Sequence, residues 1–102
     1  MLLVRDVFRA RYGRGDELVA LFKELGSHWE TGQSAVKPKE FRIMTDASGT
    51  FFTVVTEILV EDFAAWERLS QAEFALPQFA EWFQRMIPLT ESGQREFYHL
   101  VE

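Results

Sequence analysis

Cysteine is absent from this 102-residue chain, which rules out disulfides and thiolate metal sites. Asparagine is absent as well, and the two histidines, His28 and His99, are far apart with no metal-ligand spacing. Basic residues are outnumbered 11 to 16, for a net charge of −5. That balance repels phosphate backbones and argues against a nucleic-acid partner. No apolar run approaches the roughly 20 residues of a membrane span. The N-terminus is charged by Arg5, unlike a secretory leader. Gly13-Arg14-Gly15 is too short to cradle a phosphate, and no serine or cysteine nucleophile motif occurs. The expectation is a cytoplasmic protein with no metal, no cofactor and no membrane partner.

Apolar residues make up 47% of the chain and aromatics 15%, including ten phenylalanines and three tryptophans. This is enough for one core, so residues 1–102 are expected to form one domain. Residues 2–11 alternate with period two: Leu2, Val4, Asp6, Phe8 and Ala10 share one face, and Leu3, Arg5, Val7, Arg9 and Arg11 the other. Such alternation predicts a strand. Tyr12-Gly13-Arg14-Gly15 reads as a turn. Asp16 is the expected N-cap of a helix whose stripe is Leu18, Phe22, Leu25 and Trp29. That helix is expected to run to about Glu30, with Thr31-Gly32-Gln33-Ser34 as its exit.

Residues 40–46 predict a second strand, and Ala47-Ser48-Gly49 the tip of a hairpin. Residues 50–60 predict a third strand, rich in β-branched and aromatic side chains. Phe52, Val54, Thr56, Ile58 and Val60 share one of its faces. Asp62 is the expected cap of a second helix with Phe63, Trp66 and Leu69 as its stripe. A break is expected over residues 70–76, and Pro77 suits the first turn of a renewed helix. Phe79, Phe83 and Met86 continue inward until Pro88. Residues 94–101 predict the last strand, with Phe97, His99 and Val101 on one face.

The order βαββαβ predicts an α+β, ferredoxin-like fold. Its four-stranded antiparallel sheet has strand order 4-1-3-2, with two helices on one face. The other face then carries Val7, Phe51, Val55, Leu59 and Tyr98 beside Arg5, Arg9, Arg42, Glu57 and Glu96. Apolar area on that scale marks an interface, so a homodimer through Arg5, Arg9, Phe51, Val55, Glu57 and Tyr98 is expected. The bland reading is a solvated sheet with ordinary surface ion pairs.

His99 lies on the helix-facing side of the last strand, next to the strand that carries Asp6. Asp6, Thr56 and His99 are therefore expected to form a polar cluster in an otherwise apolar pocket. An imidazole oriented by a carboxylate makes a general base, with His99 and Asp6 as the catalytic candidates. A satisfied buried polar pair is the alternative. Thr56, Trp66, Phe63, Phe83 and Phe22 are the expected pocket-lining residues. Aromatics at helical spacing are more often core than a binding box. His28, at the end of the first helix, reads as a solvated residue at the negative end of the helix dipole.

The run Phe8-Arg9-Ala10-Arg11-Tyr12-Gly13 leads into Glu17-Leu18-Val19-Ala20-Leu21-Phe22. With Gly49-Thr50-Phe51-Phe52, Glu57, Trp66 and Gln94-Arg95-Glu96-Phe97-Tyr98, it resembles the dimeric α+β barrel superfamily over nearly the whole chain. Within that superfamily the chain is most similar to NIPSNAP-like proteins, then to antibiotic-biosynthesis-monooxygenase-like domains. The resemblance implies two sheets packed face to face and one pocket per subunit between sheet and helices. It also implies a choice among functions: a small-molecule enzyme without a tightly bound cofactor, of monooxygenase or isomerase type, or a non-catalytic ligand-binding or interaction module. Haem degradation is disfavoured. That subgroup uses an asparagine on the first strand and a histidine on the second helix. Here there is no asparagine and no histidine between Trp66 and Pro88.

Overall fold

The alternating segments form a single antiparallel sheet in a computed structural model, which describes residues 1–31 and 36–102. The strands are β1 (Leu2–Ala10), β2 (Glu40–Thr45), β3 (Thr53–Val60) and β4 (Thr90–His99), in the order β2-β3-β1-β4. Read from the other edge this is 4-1-3-2, the order expected of a ferredoxin-like α+β fold. Three helices cover one face: α1 (Gly15–Glu30), α2 (Phe63–Phe74) and α3 (Pro77–Met86), with a 3-10 turn (Ile87–Leu89) leading into β4. The expected second helix is thus two helices. Its first part is longer than expected, because α2 continues through Ser70 and breaks only at Ala75 and Leu76.

Local chemistry fixes the boundaries. The Asp62 carboxylate accepts the Ala65 N–H at 2.8 Å and caps α2 as expected. Pro77 opens α3, where a missing N–H costs nothing. Asp16 is not the cap of α1. The turn closes through Arg14 N–H to Arg11 C=O at 2.8 Å, so Gly15 already enters the helix. Asp16 and Glu17 lie in the first turn, where carboxylates face the positive end of the helix dipole. Gly26 lies inside α1. A Cβ there would sit 3.0 Å from the Phe41 ring, so this glycine lets the sheet aromatic lie against the helix. The expected exit of α1 lies mostly outside the described residues.

β3 begins three residues later than expected. The Asp46 carboxylate accepts the Thr53 N–H at 3.0 Å, and Asp46 N–H donates to Thr53 C=O at 3.2 Å. These bonds close the hairpin and leave residues 47–52 as its loop. Gly49 (φ +94°) and Phe52 (φ +59°) both take left-handed backbone there. β4 begins four residues earlier than expected, at Thr90. Arg11 fixes that start by donating its backbone N–H to Leu89 C=O at 2.9 Å and its Nε–H to Pro88 C=O at 3.0 Å. The run Thr90-Glu91-Ser92-Gly93 shows no apolar alternation because this end of the edge strand is wet on both faces.

The helix-facing residues of β1 and β3 build two cores. Ala10, Val54, Leu18, Phe22, Trp82 and Leu89 pack at one end. Leu2, Val4, Ile58, Val60, Trp29 and Leu69 pack at the other. The level between them on the sheet carries Asp6 and Thr56, which face each other across β1 and β3. On the open face, Glu57 is buried between Arg42, which donates to it, and Arg5 at 3.7 Å. Tyr98 remains half exposed there, whereas Phe51, expected on the same strand face, lies in the hairpin loop because β3 starts only at Thr53.

Candidate functional site

A cavity of about 210 Å³ opens at the Asp6/Thr56 level, between the two cores. Its floor is the sheet: Asp6 and Phe8 of β1, Thr56 and Ile58 of β3, Phe41 of β2 and Arg95 of β4. From α1 come Phe22, Leu25 and Trp29. α2 adds Trp66, Leu69, Ser70, Glu73 and Phe74, and α3 adds Phe79, Trp82, Phe83 and Met86. All three tryptophans of the chain reach it. The rings are fixed by mutual contacts: Phe79 stacks on Trp82 at 5.9 Å and on Phe83 at 6.1 Å, and Phe22 meets Trp82 at 5.5 Å. Of the side chains expected to line a pocket, Phe22, Thr56, Trp66 and Phe83 do. Phe63 does not, because it turns outward against Phe97 and His99.

Asp6 and His99 do not pair. Antiparallel register sets Arg95 across from Asp6, and His99 across from Leu2. Four residues of strand therefore separate the imidazole from the carboxylate, about 13 Å. His99 sits edge-on to Phe63, with ring centroids 5.8 Å apart. Asp6 is instead held by Arg95, whose Nε and Nη2 donate to Oδ1 and Oδ2 at 2.8 and 3.0 Å. Such a two-pronged bond fixes both side chains. The Asp6 carboxylate raises the Arg95 pKa, chiefly through these hydrogen bonds and against the opposing effect of burial. The guanidinium also lies 4.8 Å from the centre of the Trp66 ring. A wider outer groove of about 400 Å³ runs along Thr90–Arg95 and shares Asp6, Phe8, Met86 and Arg95 with the cavity. The Asp6–Arg95 pair thus stands where the outer groove meets the inner cavity.

The far wall carries a second carboxylate. Glu73 is buried, and its Oε1 accepts the Trp29 indole N–H at 2.8 Å. His28 Nε2 lies 3.8 Å from the same oxygen, too far for a hydrogen bond. The expectation that His28 is solvated fails: its side chain is 17% exposed, and Nε2 is buried with no hydrogen-bond partner. Ser70, one turn before Glu73, also buries its hydroxyl without a partner. Among the described residues no group of three histidine, cysteine, aspartate or glutamate side chains is arranged to hold a metal ion.

Arg95 and Glu73 were the residues that sequence patterning missed. Arg95 has the same strand parity as Phe97 and His99, which places it on the helix side. Its partner depended on a register that no local pattern specifies. Glu73 continues the stripe of Trp66, Leu69 and Ser70, and expecting α2 to break at residue 70 removed it from view.

No family model matches the sequence, and no curated protein matches it. Solved structures do match. An uncharacterized NIPSNAP domain protein from Burkholderia xenovorans is 21% identical with a TM-score of 0.81, covering 99% of this chain and 95% of that one. A NIPSNAP family protein from Agrobacterium tumefaciens is 13% identical with a TM-score of 0.80, covering 99% and 93%. SnoaB, a cofactor-independent oxygenase from Streptomyces nogalater, is 13% identical with a TM-score of 0.73, covering 99% and 93%. At these identities the likeness shows the fold: this chain is built as NIPSNAP domains and antibiotic biosynthesis monooxygenases are.

Proposed function

We propose that this protein is a homodimer that binds a small hydrophobic or aromatic molecule in the cavity between sheet and helices. One observation carries the reading. The space between the two cores is walled by aromatic rings from all three helices, and a few polar groups converge on it. That is the composition of ligand sites rather than of packing defects. The homodimer rests on the open sheet face, where Tyr98 is 49% exposed beside Arg5, Arg9 and the buried Glu57, and on Phe51 of the hairpin loop, which is 68% exposed. Two such faces packed together would cover the apolar area and leave the helix-side cavity free.

A catalytic version of this reading is favoured by Asp6, a buried carboxylate on the cavity floor at the junction with the outer groove. In it the protein acts without a cofactor, as SnoaB is described to act, with Asp6 moving a proton and Arg95 holding its position. Calorimetric titration with 2-phenylethanol tests the binding claim. Saturable binding that is lost in Ser70→Leu, whose side chain would fill the cavity, supports it. Binding unchanged in that variant would put the ligand elsewhere.

A further inference from the structure

The two carboxylates of the cavity are not equivalent. Asp6 has a cation of its own in Arg95. Glu73 has none. Arg85, which lines a neighbouring pocket together with Glu73, is taken up by Glu24 through two bonds of 3.1 and 2.8 Å. Among the described residues the one basic group paired with Glu73 is His28, at 3.8 Å and outside hydrogen-bonding reach. Its Oε1 has a single donor, Trp29, and its Oε2 has no partner among the described residues. Glu73 is 7% exposed, and its Oε2 is not fully enclosed, so this oxygen is free to meet a donor from outside the chain.

Three further observations say what would supply it. Glu73 lines the cavity, so its charge is presented to whatever enters. Trp29, Trp66, Trp82, Phe74 and Phe79 line the same space, and the negative faces of aromatic rings attract organic cations. The buried Ser70 hydroxyl, on the same face of α2 one turn away, offers a second acceptor with no present partner. We infer that Glu73 is the anchor for a cationic ligand, an aryl- or alkylammonium whose N–H groups bond Glu73 and Ser70 while its apolar body fills the ring of aromatics. This rests on the cavity being a ligand site and narrows the ligand to one charge class. Anions are disfavoured by the same carboxylate, since the guanidinium that could receive them is already bound to Asp6.

A matched series separates the two claims. 2-Phenylethylamine, 2-phenylethanol and 3-phenylpropionate share a ring and similar reach but differ in head-group charge. They are titrated calorimetrically at pH 8, above the ordinary imidazole range. The expected order is amine tighter than alcohol tighter than acid, with the amine favoured by about tenfold or more, as a charge-assisted bond gives. Glu73→Gln keeps the shape and an oxygen for Trp29, and in it the amine advantage should disappear while alcohol binding persists. Amine binding no tighter than alcohol in the unaltered protein would overturn the anchor and leave the cavity reading standing. Tightest binding by the acid would move recognition to Arg95 and overturn it as well. Failure of all three to bind would overturn the cavity reading itself. Should Glu73→Gln fail to fold, the order in the unaltered protein still decides.

Discussion

Replacing Arg95 with methionine should cost more stability than its half-exposed position implies. Asp6 is 6% exposed and takes both of its strong hydrogen bonds from Arg95. Removing one member of a buried ion pair typically costs about 3–5 kcal/mol, because the other is left charged and unpaired. The Arg95 side chain is 45% exposed, so water screens part of the attraction and replaces part of it. About 2 kcal/mol at pH 7 is the expected loss. For a chain of this size that corresponds to a Tm roughly 10 °C lower. Adding Asp6→Asn to Arg95→Met removes the orphaned charge and should restore at least half of the loss. Urea unfolding at pH 7, at fixed protein concentration, measures both. A loss well below about 1 kcal/mol, or no recovery in the double variant, would show that the pair is not what holds Asp6 in the core.

Trp29→Phe keeps most of the packing beside Phe41 but removes the indole N–H that Glu73 accepts, and should cost about 1–3 kcal/mol in chemical denaturation. Val7→Glu puts a charge into the middle of the open sheet face, and light scattering at micromolar concentration should show the mass falling from dimer to monomer. Glu24 has its pKa lowered by its hydrogen bonds from Arg85, which tie α1 to α3. Its contribution is therefore present above the ordinary glutamate value of about 4.3 and lost as pH falls through the folded one. The Glu24 side chain is 53% exposed, so Glu24→Gln should cost less than about 1 kcal/mol at pH 7, and progressively less as pH falls below the ordinary glutamate range, in thermal unfolding.

The strands, the helices and their order were legible because each states its period locally. Leu2, Val4, Phe8 and Ala10 mark the inner face of β1 whatever lies beside it. The inward placement of Asp6 and Thr56 followed from the same alternation. Which residue faces Asp6 did not, because register is a relation between two strands, and β4 begins with a polar run that offers nothing to align. A shift of four residues kept His99 on the correct face and at the wrong level. The break between α2 and α3 was visible in Pro77, but its position depended on Glu73 finding Trp29 across the core, a contact 44 residues away in sequence. The second carboxylate of the cavity was hidden for that reason.

The claim that most needs testing is that an aromatic ligand enters between the two cores. The three tryptophans all line that space, so their indole N–H resonances report on it directly. Titration of the 15N-labelled protein with 2-phenylethanol into the millimolar range, the affinity scale of a fragment-sized ligand, should move all three indole signals along one saturable curve. Backbone signals of the open sheet face should stay in place. Indole signals that do not move, or that drift without saturating while the open face shifts, would contradict the account and place the apolar binding surface on the outside of the sheet.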